Sequence, residues 1–170
     1  MGLFVKFAFR DLGIIAATGV LWWGWADATG DSGLLSDLVG LLLGLAFGGS
    51  VFLIHEWGHW LGAVWGRSDI QAPASLRSFY LFSYNSKTNN RKQFLIMSLS
   101  GFVVTGLAIA VALGPLDQPL QAARVARGSI AFLASLTLFI EIPLLVFSLV
   151  SDKLPPVETF ESEPAITDTP

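Results

Sequence analysis

The chain of 170 residues has the length of one ordinary domain, but 53% of its residues are hydrophobic and its mean hydropathy is +0.63. Such a composition predicts a membrane protein and argues against a soluble globular domain. The absence of cysteine excludes disulfides, thiolate zinc sites and cysteine nucleophiles. The formal net charge of -3 says less than the positions of the individual charges along the chain.

Apolar stretches in chain order predict four membrane crossings, at residues 12–26, 38–66, 94–114 and 129–150. A transmembrane helix needs roughly 20 apolar residues, and the last three stretches have about that length. The first stretch is shorter and has some features of a cleavable signal peptide. Its three tryptophans favour instead a retained helix with an aromatic belt at the membrane interface.

The connecting segments predict the topology. Eight of the ten Lys and Arg residues lie in the N-terminal segment, the 67–93 loop and the C-terminal tail, which places these segments on the cytoplasmic side. We therefore expect residues 1–150 to form one all-α, polytopic domain in a bacterial-type cytoplasmic membrane, with both termini cytoplasmic. Residues 75–84 are aromatic and partly alternating, which predicts a short β-strand in the cytoplasmic loop. The acidic, Pro-rich residues 151–170 are expected to be disordered.

The stretch IHEWGHW, residues 54–60, contains both histidines of the chain. On a helix His55 and His59 lie one turn apart on one face, so both imidazoles can bind one metal ion. Glu56 lies beside them, where it can take a proton from a metal-activated water. The pattern therefore predicts a zinc site with Glu56 as the catalytic base. Ionisable groups inside a bilayer cost at least ~2.5 kcal/mol, which favours a functional role over a packing role.

With this motif in a membrane crossing, the chain resembles the site-2 protease family of intramembrane zinc metalloproteases. HEWGHWLGAVWG matches the family's motif helix, and RKQFLIMSLSGFVVTG, residues 91–106, resembles its second element. There Ser100-Gly101-Phe102 stands where the family usually has Ala-Gly-Pro. The resemblance covers roughly residues 38–150. It implies zinc-dependent hydrolysis of peptide bonds in transmembrane protein substrates, with membrane lipid and no nucleic acid as further partners, and leaves oligomerisation open.

In that family a carboxylate from a later crossing is the third zinc ligand, but the usual Asn…Pro…Leu-Asp-Gly element is absent here. Glu141 and Asp152 compete for the role. At ~1.5 Å per residue, His55 and His59 lie about 10 to 17 Å from the cytoplasmic edge, and Glu141 lies about 13 Å from it. The equal depth favours Glu141, whereas Asp152 requires the helix end to fold back into the membrane. Asp117 precedes the fourth crossing and is not expected to bind metal.

The missing element also supports a second functional hypothesis. A family-derived protein can keep the metal site and act as a membrane adaptor, chaperone or assembly factor without proteolysis. A metal transporter is a third reading, which the other crossings disfavour because they lack a succession of ionisable residues.

Two features of the crossings concern helix packing. Gly40, Gly44 and Gly48 form a GxxxGxxxG ridge, for which tight packing inside the bundle is expected over dimerisation. Pro143 has no backbone N–H, so it weakens hydrogen bonding in the fourth crossing and permits bending.

Overall fold

The computed structural model describes residues 2–73, 75–78, 80–116, 118–151 and 153–155. Within these residues the helices are α1 (Leu3–Trp25), α2 (Leu34–Trp65), α3 (Arg91–Leu113), α4 (Gln121–Leu136) and α5 (Ile142–Val150). A 3-10 turn (Asp27–Gly30) links α1 to α2, and a π-helical turn (Thr137–Glu141) joins α4 to α5. Two short strands, β1 (Ile70–Gln71) and β2 (Ser83–Tyr84), pair antiparallel. The mainly helical fold expected from the sequence is confirmed.

Three helical segments are long and apolar enough to cross a membrane: α2, α3 and the continuous segment Gln121–Val150. Each of them overlaps one of the last three predicted crossings almost completely. The helix α1 has 23 residues but is not among them, so the expected number of four crossings is not confirmed. Lys6, Arg10 and Asp11 lie in its first half and lower its hydropathy.

The helix α4 begins at Gln121, well before the predicted start of its crossing at residue 129. Arg124 and Arg127 therefore lie in a helix, although the sequence placed them in a connecting loop. The Arg124 guanidinium donates hydrogen bonds to Gln121 Oε1 at 2.8 and 3.1 Å, away from the bundle. On the packed side the helix has three fully buried alanines: Ala122, Ala123 and Ala126. This amphipathic first half is helical because its alanine face packs against the bundle.

Glycines in the first half of α2 allow α4 to approach closely. A Cβ placed on Gly44 would lie 2.4 Å from Val125 Cβ, and one on Gly48 would lie 2.3 Å from Ser129 Cβ. Gly40 approaches the start of α4 in the same way. The expected packing of this glycine ridge within the bundle is confirmed.

Glycines in the second half of α2 perform the same role towards α3. A Cβ on Gly58 would meet Val104 Cγ2 at 2.7 Å, and one on Gly62 would meet Ser100 Oγ at 2.5 Å. The helix α2 is therefore the central element of the bundle, with α3 and α4 packed on different parts of its length.

Polar contacts attach α1 to α2. Asp11 is 2% exposed, and its carboxylate lies 2.6 Å from Arg10 Nε and accepts a hydrogen bond from Trp57 Nε1 at 2.9 Å. Arg10 also donates a hydrogen bond of 3.0 Å to the carbonyl of Ser78 in the 67–93 loop. A buried carboxylate requires such partners, because an unpaired one would be strongly destabilising. Since Trp57 belongs to HEWGH, both α1 and the loop are anchored beside the motif.

The 67–93 loop contains less strand than the sequence predicted. Among the described residues of 75–84, only Ser83 and Tyr84 pair, with Gln71 and Ile70 respectively. Before them, the carbonyls of Leu76 and Ser78 accept hydrogen bonds from Arg10. Tyr84 is 2% exposed, and its ring centroid lies 5.9 Å from that of Phe94 in α3. Burial raises the pKa of the Tyr84 phenol to about 12, so it is neutral at physiological pH.

The helix α2 ends in a Schellman motif that has an arginine in the left-handed position. The Ser68 N–H donates to the Ala63 carbonyl at 2.8 Å, and the Arg67 N–H donates to the Val64 carbonyl at 3.0 Å. Among the described residues Arg67 is the only non-glycine residue with positive φ, at 55°. Glycine is usual at this position, and a residue with a Cβ costs roughly 1–2 kcal/mol there.

The expected disordered tail, residues 151–170, is described only at its beginning. The Pro155 carbonyl accepts a hydrogen bond of 2.9 Å from Ser86 Oγ, and the Ser151 carbonyl accepts one of 2.5 Å from Arg91. These first residues after α5 therefore contact the segment that precedes α3. Residues 156–170 lie outside the described part of the chain.

Adjacent glycines in α2 provide a test of the α2–α4 contact. We expect Gly48→Ala to lower the free energy of unfolding by about 1–3 kcal/mol, because its Cβ would overlap with Ser129. Gly49→Ala is the matched control, since a Cβ there has no atom within 4 Å. Chemical unfolding of the two variants in detergent measures the difference. Equal stabilities would contradict the close contact between α2 and α4.

Candidate metal centre

Three side chains predicted as metal ligands converge in the structure. His55 Nε2 lies 3.1 Å from His59 Nε2 and 3.1 Å from Glu141 Oε1. His59 Nε2 lies 3.6 Å from Glu141 Oε2. The histidines come from successive turns of α2, and Glu141 is the last residue of the π-helical turn. The equal membrane depth that the sequence predicts for the two histidines and Glu141 therefore agrees with the contact of their side chains.

The donor atoms fit a tetrahedrally coordinated zinc ion. Zinc–nitrogen bonds of about 2.0–2.1 Å with tetrahedral angles place ligand atoms about 3.3 Å apart. The two Nε2 atoms are 3.1 Å apart, and His55 Nε2 lies 3.1 Å from Glu141 Oε1, both close to this value. The separation of 3.6 Å from His59 Nε2 is to the other carboxylate oxygen, Oε2. Glu141 Oε2 is buried and has no hydrogen-bond partner among the described residues, so this oxygen retains a free lone pair. Two imidazoles and one carboxylate form the ligand set of many catalytic zinc sites.

The second nitrogen of each imidazole has a partner in α3. His59 Nδ1 lies 3.0 Å from the Met97 carbonyl, which can only accept, so Nδ1 carries the proton. His55 Nδ1 lies 2.9 Å from Thr105 Oγ1, which can accept in the same way. With Nδ1 of His59 protonated, its Nε2 lone pair is available at the cluster, and the same holds for His55 when Thr105 Oγ1 accepts from its Nδ1. Such partners orient the imidazoles that bind metals.

The His59 ring lies directly against the backbone of α3 at Gly101. A Cβ on Gly101 would be 2.2 to 2.6 Å from three atoms of the imidazole. Any side chain there would therefore displace the ring. This contact gives a physical reason for the glycine of Ser100-Gly101-Phe102, which the sequence singled out only by resemblance.

Glu56 lies beside the cluster. Its carboxylate is close enough to interact electrostatically with His55, His59 and Glu141, and it lies against the backbone of Leu81. Leu81 belongs to the 67–93 loop and is 1% exposed. The loop therefore covers the cluster on the side of Glu56.

The π-helical turn determines the direction of the Glu141 side chain. The Ile142 N–H donates to the Thr137 carbonyl, five residues earlier, so the helix contains one residue more per turn than an α-helix. Pro143 follows directly and has no N–H to continue the α-helical pattern. Each α-helical residue rotates the chain by about 100°. A regular α-helix from the same start would therefore direct Glu141 to a different side.

Sequence reasoning identified the four polar residues of the centre but missed the groups that position them. Met97 acts through its carbonyl, which no side-chain pattern reveals. The π-helical turn had one sequence signal, Pro143, which was interpreted only as a site of bending. Asp152, the competing ligand, and Asp117 lie outside the described residues.

No family model, curated protein or solved structure matches this chain, so its resemblance to the site-2 protease family rests on the motifs alone.

Two glycines in α3 test the positioning of His59. We expect Gly101→Ala to weaken zinc binding roughly 10–100-fold, because the new methyl group displaces the imidazole. Gly106→Ala is the control in the same helix, as a Cβ there meets no atom within 4 Å. Zinc titration against a chelator measures both affinities. Unchanged affinity in Gly101→Ala would show that His59 does not bind metal in this orientation.

Amide replacements separate the two candidate carboxylates. We expect Glu141→Gln to lose most of its bound zinc, because the amide removes the negative charge next to both histidines. Asp152→Asn should keep the wild-type zinc content. Elemental analysis of the purified proteins gives the stoichiometry. Loss of zinc only in Asp152→Asn would exclude Glu141 as the ligand.

Proposed function

We propose that this protein is an intramembrane zinc metalloendopeptidase of the site-2 protease type, which hydrolyses peptide bonds of transmembrane substrates. The proposal is supported above all by one observation: two histidines and a carboxylate from separate apolar helices converge, with a second carboxylate beside them. Clusters of ionisable groups are costly in apolar helices, so this arrangement favours a chemical role over a packing role.

His55, His59 and Glu141 would hold the ion, and Met97 and Thr105 would keep the two imidazoles in the required tautomer. A bound zinc ion would supply Lewis acidity, lowering the pKa of a water molecule and polarising the scissile carbonyl. The net charge of the ligand set supports this role, because the single carboxylate leaves a divalent ion partly uncompensated.

Glu56 is the proposed general base. Its carboxylate takes a proton from the attacking water and later gives it to the amine of the leaving peptide, so the carboxylate is regenerated in each cycle. Glu56 follows His55 directly in α2, which keeps its carboxylate beside the ligands during both transfers. The backbone of Leu81 restricts the space on this side.

The proposed topology has four crossings with both termini in the cytoplasm, and residues 12–26 as the first. Three apolar helices and the interfacial tryptophans of α1 support it. The centre then lies about 10 to 17 Å from the cytoplasmic edge, at ~1.5 Å per residue, and water reaches it from that side.

A substrate helix must become extended before cleavage, because a helix hides its amide bonds. The 67–93 loop is the proposed place for this step, since its backbone at Leu81 lies next to Glu56. Extended peptides commonly bind by backbone hydrogen bonds to the edge of a strand, and β2 (Ser83–Tyr84) begins two residues after Leu81 in the same loop.

The test of the proposal is Glu56→Gln in lipid nanodiscs with a panel of single-pass substrates. We expect cleavage to fall about 10²–10⁴-fold while zinc content stays at the wild-type value, because Glu56 moves protons and does not bind the ion. Asp37→Asn is the control, as it removes a carboxylate in the first turn of the same helix. Its cleavage rate should equal that of the wild type.

Zinc binding without Glu56-dependent cleavage would refute proteolysis. That result would favour the second hypothesis, a membrane adaptor, chaperone or assembly factor that retains the metal site. The absent Asn…Pro…Leu-Asp-Gly element is the sequence feature that supports this alternative.

A further inference from the structure

A groove of about 600 Å³ lies between the end of α2 and the beginning of α3. Trp65 and Ile96 form an apolar part of its lining, and Arg67, Asn90, Lys92 and Gln93 form a polar part. Both helices belong to the candidate membrane spans, so the groove lies where they would leave the hydrocarbon layer. Trp65 is 83% exposed, as expected for an aromatic residue at the membrane interface.

The two cationic side chains of the groove have no partner among the residues that the structure describes. Neither the Arg67 guanidinium nor the Lys92 ammonium group has a hydrogen bond or ion pair within the described part of the chain. Arg91, their neighbour, differs because it binds the Ser151 carbonyl. Two cationic residues therefore line one groove without an acidic partner among the described residues.

Both cations occupy positions that are locally unfavourable. Arg67 has a positive φ of 55° at a position where glycine is usual. The Gln93 amide fixes this backbone through a hydrogen bond of 2.7 Å to the Arg67 carbonyl. Lys92 lies in the first turn of α3, where the helix dipole disfavours a cation. Residues that are locally unfavourable in this way occur at functional sites. The free energy of binding an anion in the groove would offset the cost of placing a cation at each of the two positions.

We propose that this groove binds one anionic phospholipid. Its phosphodiester lies between Arg67 and Lys92, and an acyl chain follows Trp65 and Ile96 towards the membrane. The amphipathic lining favours a phospholipid over a free phosphate, because the phosphate group matches the two cations and only a lipid also contacts the apolar wall. Asn90 and Gln93 cap the backbone of α3 with their side chains, so the two cations supply the recognition.

The experiment is native mass spectrometry of the delipidated full chain, with phosphatidylglycerol or phosphatidylcholine added back. We expect the wild type to retain one phosphatidylglycerol molecule in preference to phosphatidylcholine. Arg67→Gly and Lys92→Gln should each weaken this binding about fivefold, the value expected for one cation at a lipid headgroup. Lys87→Gln removes a positive charge from the same loop outside the groove and should bind like the wild type.

A thermal measurement distinguishes loss of the site from loss of the fold. In phosphatidylcholine, Arg67→Gly should melt about 2–4 °C above the wild type, because glycine removes the backbone strain. Equal phosphatidylglycerol retention by wild type, Arg67→Gly and Lys92→Gln would overturn the proposal. Binding of inorganic phosphate with the same dependence on Arg67 and Lys92, and no gain from the lipid, would also overturn it. None of the proposed zinc ligands lines the groove, so these results are independent of the cleavage test.

Discussion

The close approach of α3 and α4 to the central helix α2 is the constraint on which the candidate metal centre depends. Gly44 and Gly48 bring α4 so near that its continuation carries Glu141 to the histidines. Gly58 and Gly62 bring α3 near enough for the Met97 carbonyl to reach His59. Larger side chains at these positions would overlap with atoms of α3 or α4 and force the helices apart. Backbone packing in this bundle therefore sets the geometry of the chemistry.

Burial of polar groups between apolar helices imposes the second constraint. A polar side chain that loses water must find a partner in the protein. Asp11 is bound by Arg10 and Trp57, and His55 by Thr105 and Glu141. These contacts link α1, α2, α3 and the Gln121–Val150 segment through a small number of polar atoms. Specific hydrogen bonds thus determine which helix faces pack together, because in a membrane an apolar face distinguishes poorly between another helix and lipid.

The groove at the ends of α2 and α3 shows a different relation between stability and function. The chain keeps an arginine where glycine would be less strained, and a lysine where the helix dipole opposes it. In the candidate metal centre, by contrast, local preference and the proposed function agree, because Gly101 both packs against α2 and leaves space for His59. The two regions therefore respond differently to substitution: glycine relieves strain at residue 67, whereas any side chain at residue 101 creates it.

The sequence by itself determined the helical class, three of the segments able to cross a membrane, and the place of His55, Glu56 and His59 on one helix. These properties depend on composition and on spacing along one segment, which the sequence contains directly. Only the tertiary structure decided that Glu141 reaches the histidines, that Met97 and Thr105 hold them, and that Arg124 lies in a helix. The extent of strand in the loop was also a tertiary outcome, since Arg10 binds the carbonyls near residue 78. Contacts between segments depend on interhelical distance and on the rotation of each helix, and a single π-helical turn changes that rotation without a reliable signal in the sequence.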